Sequence, residues 1–156
     1  MKHVISILME DRIGTLARIV ELFSSRGYNV DSICSGEAER VGAHRLTLVI
    51  QGDDRKIGHI TRLLNNLVNV WDVSHLHLSE SMTRELMMAK VKFSHENRST
   101  ILQLINANQG AVIEMNKETI SFEVVGSASQ LDGITQIFRE FELIELSRTG
   151  EAAIHR

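Results

Sequence analysis

Proline is absent from this 156-residue chain, cysteine occurs once, and aromatic residues make up only 4% of it. Without proline no rigid extended linker separates its parts. A lone Cys34 excludes an intrachain disulfide framework and suits a reducing cytoplasm. With so few aromatics, Ile, Leu, Val and Met must fill the core. A net charge of −3 provides no general attraction for nucleic acid or anionic lipid. No apolar run is long enough to cross a membrane, and the opening MKHVISILMED is too short in its apolar part for a secretory signal. What is present, 43% hydrophobic and 24% charged residues, is the composition of a folded globular protein, expected in the cytoplasm.

Periodicity organises the chain. Residues 2–9 read as a buried strand. A helix over 13–25 follows, with Ile13, Leu16, Ala17, Val20 and Phe23 three and four apart on one face. Arg26-Gly27 is the expected stop, a basic last turn before the residue best suited to a left-handed cap. Asn29–Ala38 reads as a second strand, 39–42 as a turn, and Leu46, Leu48 and Ile50 as one face of a third. Gly52-Asp53-Asp54 signals a helix start, followed by Ile57, Ile60, Leu64 and Leu67 at helical spacing. Val70–Leu78 closes the set as a fourth strand.

After a polar stretch at 79–84 the same order begins again. Met87, Ala89, Val91 and Phe93 alternate as a strand. Ile101, Leu104, Ile105 and Asn108 follow at helical spacing, then a hairpin around Asn116-Lys117-Glu118. Leu131, Ile134, Phe138 and Phe141 mark a last helix, 143–147 a last strand, and 148–156 a polar tail. The pattern predicts an α+β chain of two ferredoxin-like βαββαβ domains, 1–79 and 80–156, with antiparallel sheets and helices on one face. Each sheet then has a second face and two edges to cover, so a homodimer is expected.

No constellation for catalysis emerges. His75 and His77 share one face of a strand with Trp71 and Val73, but nothing supplies the further ligands a metal needs. Cys34, in SICSG, reads as a small buried hydrophobe rather than a nucleophile. There is no nucleophile elbow, no phosphate loop and no dinucleotide fingerprint. Lys90 and Lys92 read as lysines on a solvated strand face. No catalytic residue and no metal ligand is assigned.

The turn from Glu10 to Leu16 is the best candidate for binding. Free N–H groups of a first helical turn can hold a carboxylate. Asp11 can cap the helix, accepting from Ile13 or Gly14, and Asp11 or Asn29 can hold a cation or an amine. Gly14, lacking a Cβ, lets a ligand approach the backbone closely. A grip on a carboxylate and an ammonium a few ångströms apart suits a free amino acid; a plain capped helix explains the same residues.

The run from Ile7 to Ile33, ILMEDRIGTLARIVELFSSRGYNVDSI, resembles the N-terminal ACT domain of the small, regulatory subunit of acetohydroxyacid synthase (acetolactate synthase). MTRELMMAKV at 82–91 and EFELIELSRTGEAAIHR at 140–156 resemble the second domain of that family, so the likeness spans essentially the whole chain. The resemblance implies a non-catalytic chain. It would activate a catalytic large subunit and confer feedback inhibition by valine or another branched-chain amino acid in branched-chain amino-acid biosynthesis. That partner would carry thiamine diphosphate, magnesium and FAD, and this chain no cofactor. The resemblance also implies an effector site between two protomers. Gly14, Thr15 and Leu16 would offer N–H groups to the effector carboxylate. Asp11, where many members have Asn, and Asn29 would receive its ammonium, with Ile13, Val30 and Ile33 along its side chain. The rival readings are a stand-alone ACT-type amino-acid sensor, a metal enzyme built on His75 and His77, and a dimeric scaffold that binds no small molecule.

Overall fold

Strand β1, Lys2–Glu10, is buried on both sides in the computed structural model, which describes residues 1–77 and 79–156. Ile5, Ile7 and Met9 enter one core cluster and Val4 another on the opposite face, as period-two alternation requires. Helix α1 (Thr15–Ser25), β2 (Val30–Glu37), β3 (Ala43–Gln51), α2 (Asp54–Asn65) and β4 (Val70–Leu76) follow. The sheet order is β2-β3-β1-β4, every pair antiparallel. The second half repeats it with β5 (Ser81–Lys92), α3 (Arg98–Ala107), β6 (Ala111–Met115), β7 (Thr119–Gly126), α4 (Ala128–Arg139) and β8 (Glu142–Arg148), in the order β6-β7-β5-β8. The two βαββαβ units expected from periodicity are therefore present.

Each unit has its own apolar core on the helix side of its sheet. The first joins Ile19 and Phe23 of α1 and Ile57, Ile60 and Leu64 of α2 to Leu46, Leu48 and Ile50 of β3. The second joins Ile101 and Ile105 of α3 and Leu131, Ile134 and Phe138 of α4 to Met87, Ala89 and Val91 of β5. Helix starts follow local chemistry. The Asp53 carboxylate accepts from the Lys56 N–H at 2.8 Å, as the Gly52-Asp53-Asp54 signal predicts, and Ser127 accepts from Gln130 N–H.

Four expectations are corrected. Helix α1 begins at Thr15, and its buried residues are Thr15, Ile19 and Phe23. The stripe that includes Ile13, Leu16 and Val20 is turned outward, with Ile13 fully exposed. Two overlapping stripes share Phe23, and the choice between them belongs to the sheet beneath. Second, Ser81–Arg84, expected as part of a polar stretch between the two repeats, are the start of β5. Third, the tail 148–156 is not free. Arg148 ends β8, and Ala152–His155 form a short strand β9 paired with β5. Fourth, Cys34 is half-buried rather than buried. It lies on β2, an edge of its sheet.

The compact units are residues Met1–Thr83 with Glu151–Arg156, and Arg84–Gly150. The last six residues thus group with the first unit, not with an 80–156 domain. There Ala153 packs with Val4, Val49 and Leu76, and its N–H donates to the Thr47 hydroxyl at 3.3 Å. Strand β4 ends at Leu76; Leu78, the expected end, lies outside the described residues.

Candidate functional site

The β1–α1 turn is shaped by Gly14, whose φ of 89° lies in the left-handed region where a side chain is strained. An added Cβ there would meet nothing within 4 Å, so the demand is conformational and the surroundings are open. Gly14 occupies the N-cap position and gives the helix no side-chain cap. Asp11 does not cap, contrary to expectation. Its own N–H donates to the Gly42 carbonyl at 2.8 Å, and its carboxylate faces His44 Nε2 at 3.6 Å. The turn is closed by its backbone, Arg12 N–H donating to the Glu10 carbonyl and Thr15 N–H to the Arg12 carbonyl. Among the described residues no acceptor meets the N–H groups of Gly14, Leu16 or Ala17. These donors point out of the positive end of a helix dipole.

Farther along the same helix, α1 and β2 border a cavity of about 160 Å³, to which the turn residues themselves contribute no lining. Val20, Phe23, Tyr28, Val30 and Ile33 are among its lining residues, with Leu48 behind them. The Phe23 and Tyr28 rings meet edge to face at 5.9 Å. A second cavity, of about 240 Å³, is lined by Asp11, Glu37, Glu39, Arg40 and His44. In it a backbone N–H and the Arg45 guanidinium hold Glu39 below the usual carboxylate range. Arg45 grips both Glu39 oxygens, at 2.8 and 3.1 Å.

Within one chain the structure thus distributes the predicted residues. Gly14, Thr15 and Leu16 form the turn, with Thr15 buried and its N–H already used. Val30 and Ile33 line the apolar cavity, while Asp11 opens on the acidic one. Ile13 projects into solvent, and Asn29 Nδ2 donates to Asp31 Oδ1 at 3.1 Å. Sequence reasoning missed Val20, Phe23 and Tyr28, since residues that fill a core and residues that line a cavity carry the same helical spacing.

It also missed His3. Imidazole Nδ1 of His3 lies 3.1 Å from His75 Nε2, and the rings of His75 and His77 are 4.8 Å apart. No group of three or more His, Cys, Asp or Glu among the described residues is placed to hold a metal. No helix among them is long and apolar enough to cross a membrane.

Two antiparallel βαββαβ units, the first with an uncapped glycine turn at its leading helix, define an α+β protein of the ACT and ferredoxin-like type. Residues 5–72 match the AHAS small subunit-like ACT domain, and residues 84–156 the family described as small subunit of acetolactate synthase. The chain is 37% identical over 155 residues to a probable acetolactate synthase small subunit of Methanothermobacter thermautotrophicus, covering 99% of this chain and 92% of that one. It is 33% identical to the corresponding protein of Archaeoglobus fulgidus, over 100% of this chain and 98% of the other. A crystal structure of the acetolactate synthase small subunit from Thermotoga maritima superposes with a TM-score of 0.95 at 30% identity, covering 100% and 98% of the two chains. The chain belongs to the family of acetolactate synthase small subunits.

Proposed function

We propose that this chain is the regulatory subunit of acetohydroxyacid synthase, non-catalytic and cytoplasmic. It activates a catalytic large subunit and confers feedback inhibition by valine or another branched-chain amino acid. The condensation of pyruvate with a second 2-oxo acid, with thiamine diphosphate, magnesium and FAD, belongs to that partner. The observation that carries the effector reading is the uncapped start of α1, whose N–H groups are open, on the helix that farther along borders a small apolar cavity with β2. An amino acid offers the matching pair, a carboxylate and an aliphatic side chain.

A homodimer completes the site. Strand β2 is a sheet edge, and Leu16, Val20 and Ile33 beside it are each about two-fifths exposed. Pairing through this edge would bury them and set the glycine turn against a second protomer. Asp11 and Asn29, apart within one chain, would then receive the effector ammonium from different protomers. Regulation is linkage: valine favours one arrangement of the dimer, and the catalytic subunit reads that arrangement. Such coupling is commonly worth about 1–3 kcal/mol.

Calorimetric titration with L-valine tests the site on wild type, Gly14→Asp and Gly14→Asn. Asn and Asp are the side chains that best tolerate a left-handed backbone, so the two variants differ mainly in charge. Loss of one charge-assisted hydrogen bond, about 1.5–3 kcal/mol, weakens binding roughly tenfold to a hundredfold. Gly14→Asp is expected to lose binding at least to this extent, with Gly14→Asn closer to wild type. Equal affinity for all three would remove the turn from the site. Failure of the wild type to bind any branched-chain amino acid, alone and with the catalytic subunit, would overturn the feedback reading.

A further inference from the structure

Helices α3 and α4 cover one face of the second sheet, where Met87, Ala89, Val91, Ile120, Phe122 and Val124 are buried. The alternate positions form the other face, where Met88 and Val125 interrupt a polar set that includes Lys90, Lys92, Ser121, Glu123, Glu145 and Ser147. Met88 is 44% exposed, Ile113 54% and Val125 57%. Met88, Lys90, Ile113, Glu114, Ser121 and Glu145 border a groove of about 290 Å³ across β5, β6, β7 and β8. A groove with a flexible methionine and a branched aliphatic side chain at its wall is a seat for an apolar side chain of another molecule.

Charge narrows the occupant. Register places Lys90 opposite Glu145 and Ser121, and Met88 opposite Glu123. Lys92 is already engaged by Glu142 at 3.6 Å. Around the groove this leaves Lys90 against Glu114, Glu123 and Glu145, a rim with acidic excess. Two copies of this face laid together would set their carboxylates against one another, which disfavours self-association. A partner with an apolar anchor flanked by Lys or Arg complements it. The open β2 edge of the first unit already offers a route to a second copy.

We propose that the helix-free face of the Arg84–Gly150 unit is the surface on which the catalytic subunit docks, through an apolar side chain flanked by basic residues. This rests on the regulatory-subunit reading above. Met88 and Ile113 are the anchors of the contact, and the acidic rim sets its orientation.

The test uses the full chain with the catalytic subunit from the same source, read by sedimentation velocity and by titration of catalytic activation. Met88→Glu and Ile113→Glu are each expected to weaken the complex at least tenfold, and the milder Met88→Gln less so. Val68→Glu, at a fully different exposed position in the first unit, is expected to bind as wild type. Circular dichroism and valine calorimetry of each isolated variant should match wild type, which separates lost docking from lost folding. Wild-type affinity in both anchor variants would overturn the proposal. So would a change in the sedimentation of the isolated chain in those variants, since that would make the face an interface between copies. If the wild type neither binds nor activates any catalytic subunit, the regulatory reading itself falls and the docking surface with it.

Discussion

His75 stands between two other imidazoles. The Gly52 carbonyl, 3.1 Å from His3 Nε2, can only accept, so neutral His3 carries its proton on Nε2. His3 Nδ1 is then the acceptor, and His75 Nε2 donates to it at 3.1 Å. Burial lowers the pKa of His75, the neighbouring His77 and His3 add to this, and Asp54 opposes it. The unfolded chain protonates this residue near the ordinary imidazole value of about 6.5. Below that pH the unfolded state binds more protons than the folded one, so stability falls as pH falls toward the lowered folded value. Above it the contribution is fully present. The prediction is that His75→Gln flattens the loss of stability below about pH 6.5, in urea unfolding followed by the emission of Trp71, the only tryptophan. Equal slopes in the two proteins would show that another group is responsible. His3 shows how far the sequence could be read here. Its odd position in β1 with Ile5 and Ile7 places it on the core face, but only the register of β1 on β4 puts it against His75.

At the scale of elements, Arg148 joins three of them. Its Nε and Nη2 donate to the two Glu85 oxygens at 2.9 and 2.7 Å, and its Nη1 to Asp132 at 2.6 Å. Strands β8 and β5 and helix α4 are tied at one point, and Gly150 N–H adds a donor to Glu85 at 3.2 Å. The Glu85 hydrogen bonds push the pKa of Arg148 up against the opposing effect of burial. Glu85 is only 6% exposed, so this pair differs from a surface ion pair. Arg148→Met would leave a buried carboxylate without its cation, and the expected cost is about 3–5 kcal/mol. Replacing both partners, in Glu85→Met with Arg148→Met, should cost less than the single change. Chemical unfolding followed by circular dichroism compares them; a loss below about 1 kcal/mol for Arg148→Met would mean that the pair is energetically a surface contact. The elements themselves were legible because their hydrophobic periods are clean: Leu46, Leu48 and Ile50 alternate, and Ile57, Ile60 and Leu64 follow a helix. The start of α1 was not. Asp11 is a good cap by residue type, but its carboxylate is turned to His44 across the β2–β3 turn, a neighbour 33 positions away in the chain.

For the whole molecule, the end of the chain returns to its beginning. Glu151, 4% exposed, takes the Lys2 ammonium on one carboxylate oxygen, and the Arg156 N–H donates to the Glu80 carbonyl at 3.0 Å. Ala153 fits between Val4, Val49 and Leu76 on the face of the first sheet that no helix covers. Ala153→Asp would bury a charge there without a partner. The expected loss is about 3 kcal/mol, near the upper end for single changes. Trp71 lies in the first unit, so its emission should report this loss at the unit that holds the tail. Unchanged Trp71-monitored unfolding would show that the tail can detach without consequence.

The sequence alone determined the order of elements, the doubling of the βαββαβ pattern, the family likeness and the glycine at the leading turn. Each is written in local spacing or residue type, and a strand's period of two or a helix's period of 3.6 needs no distant partner to be read. Tertiary structure decided which stripe of α1 faces inward, where Asp11 points, the histidine cluster, and the docking of residues 151–156. These outcomes depend on which atoms lie opposite one another across strands far apart in the chain. A short segment such as GEAAIHR has too few apolar residues to announce a strand, and becomes one because Val4, Val49 and Leu76 leave a place that Ala153 fills.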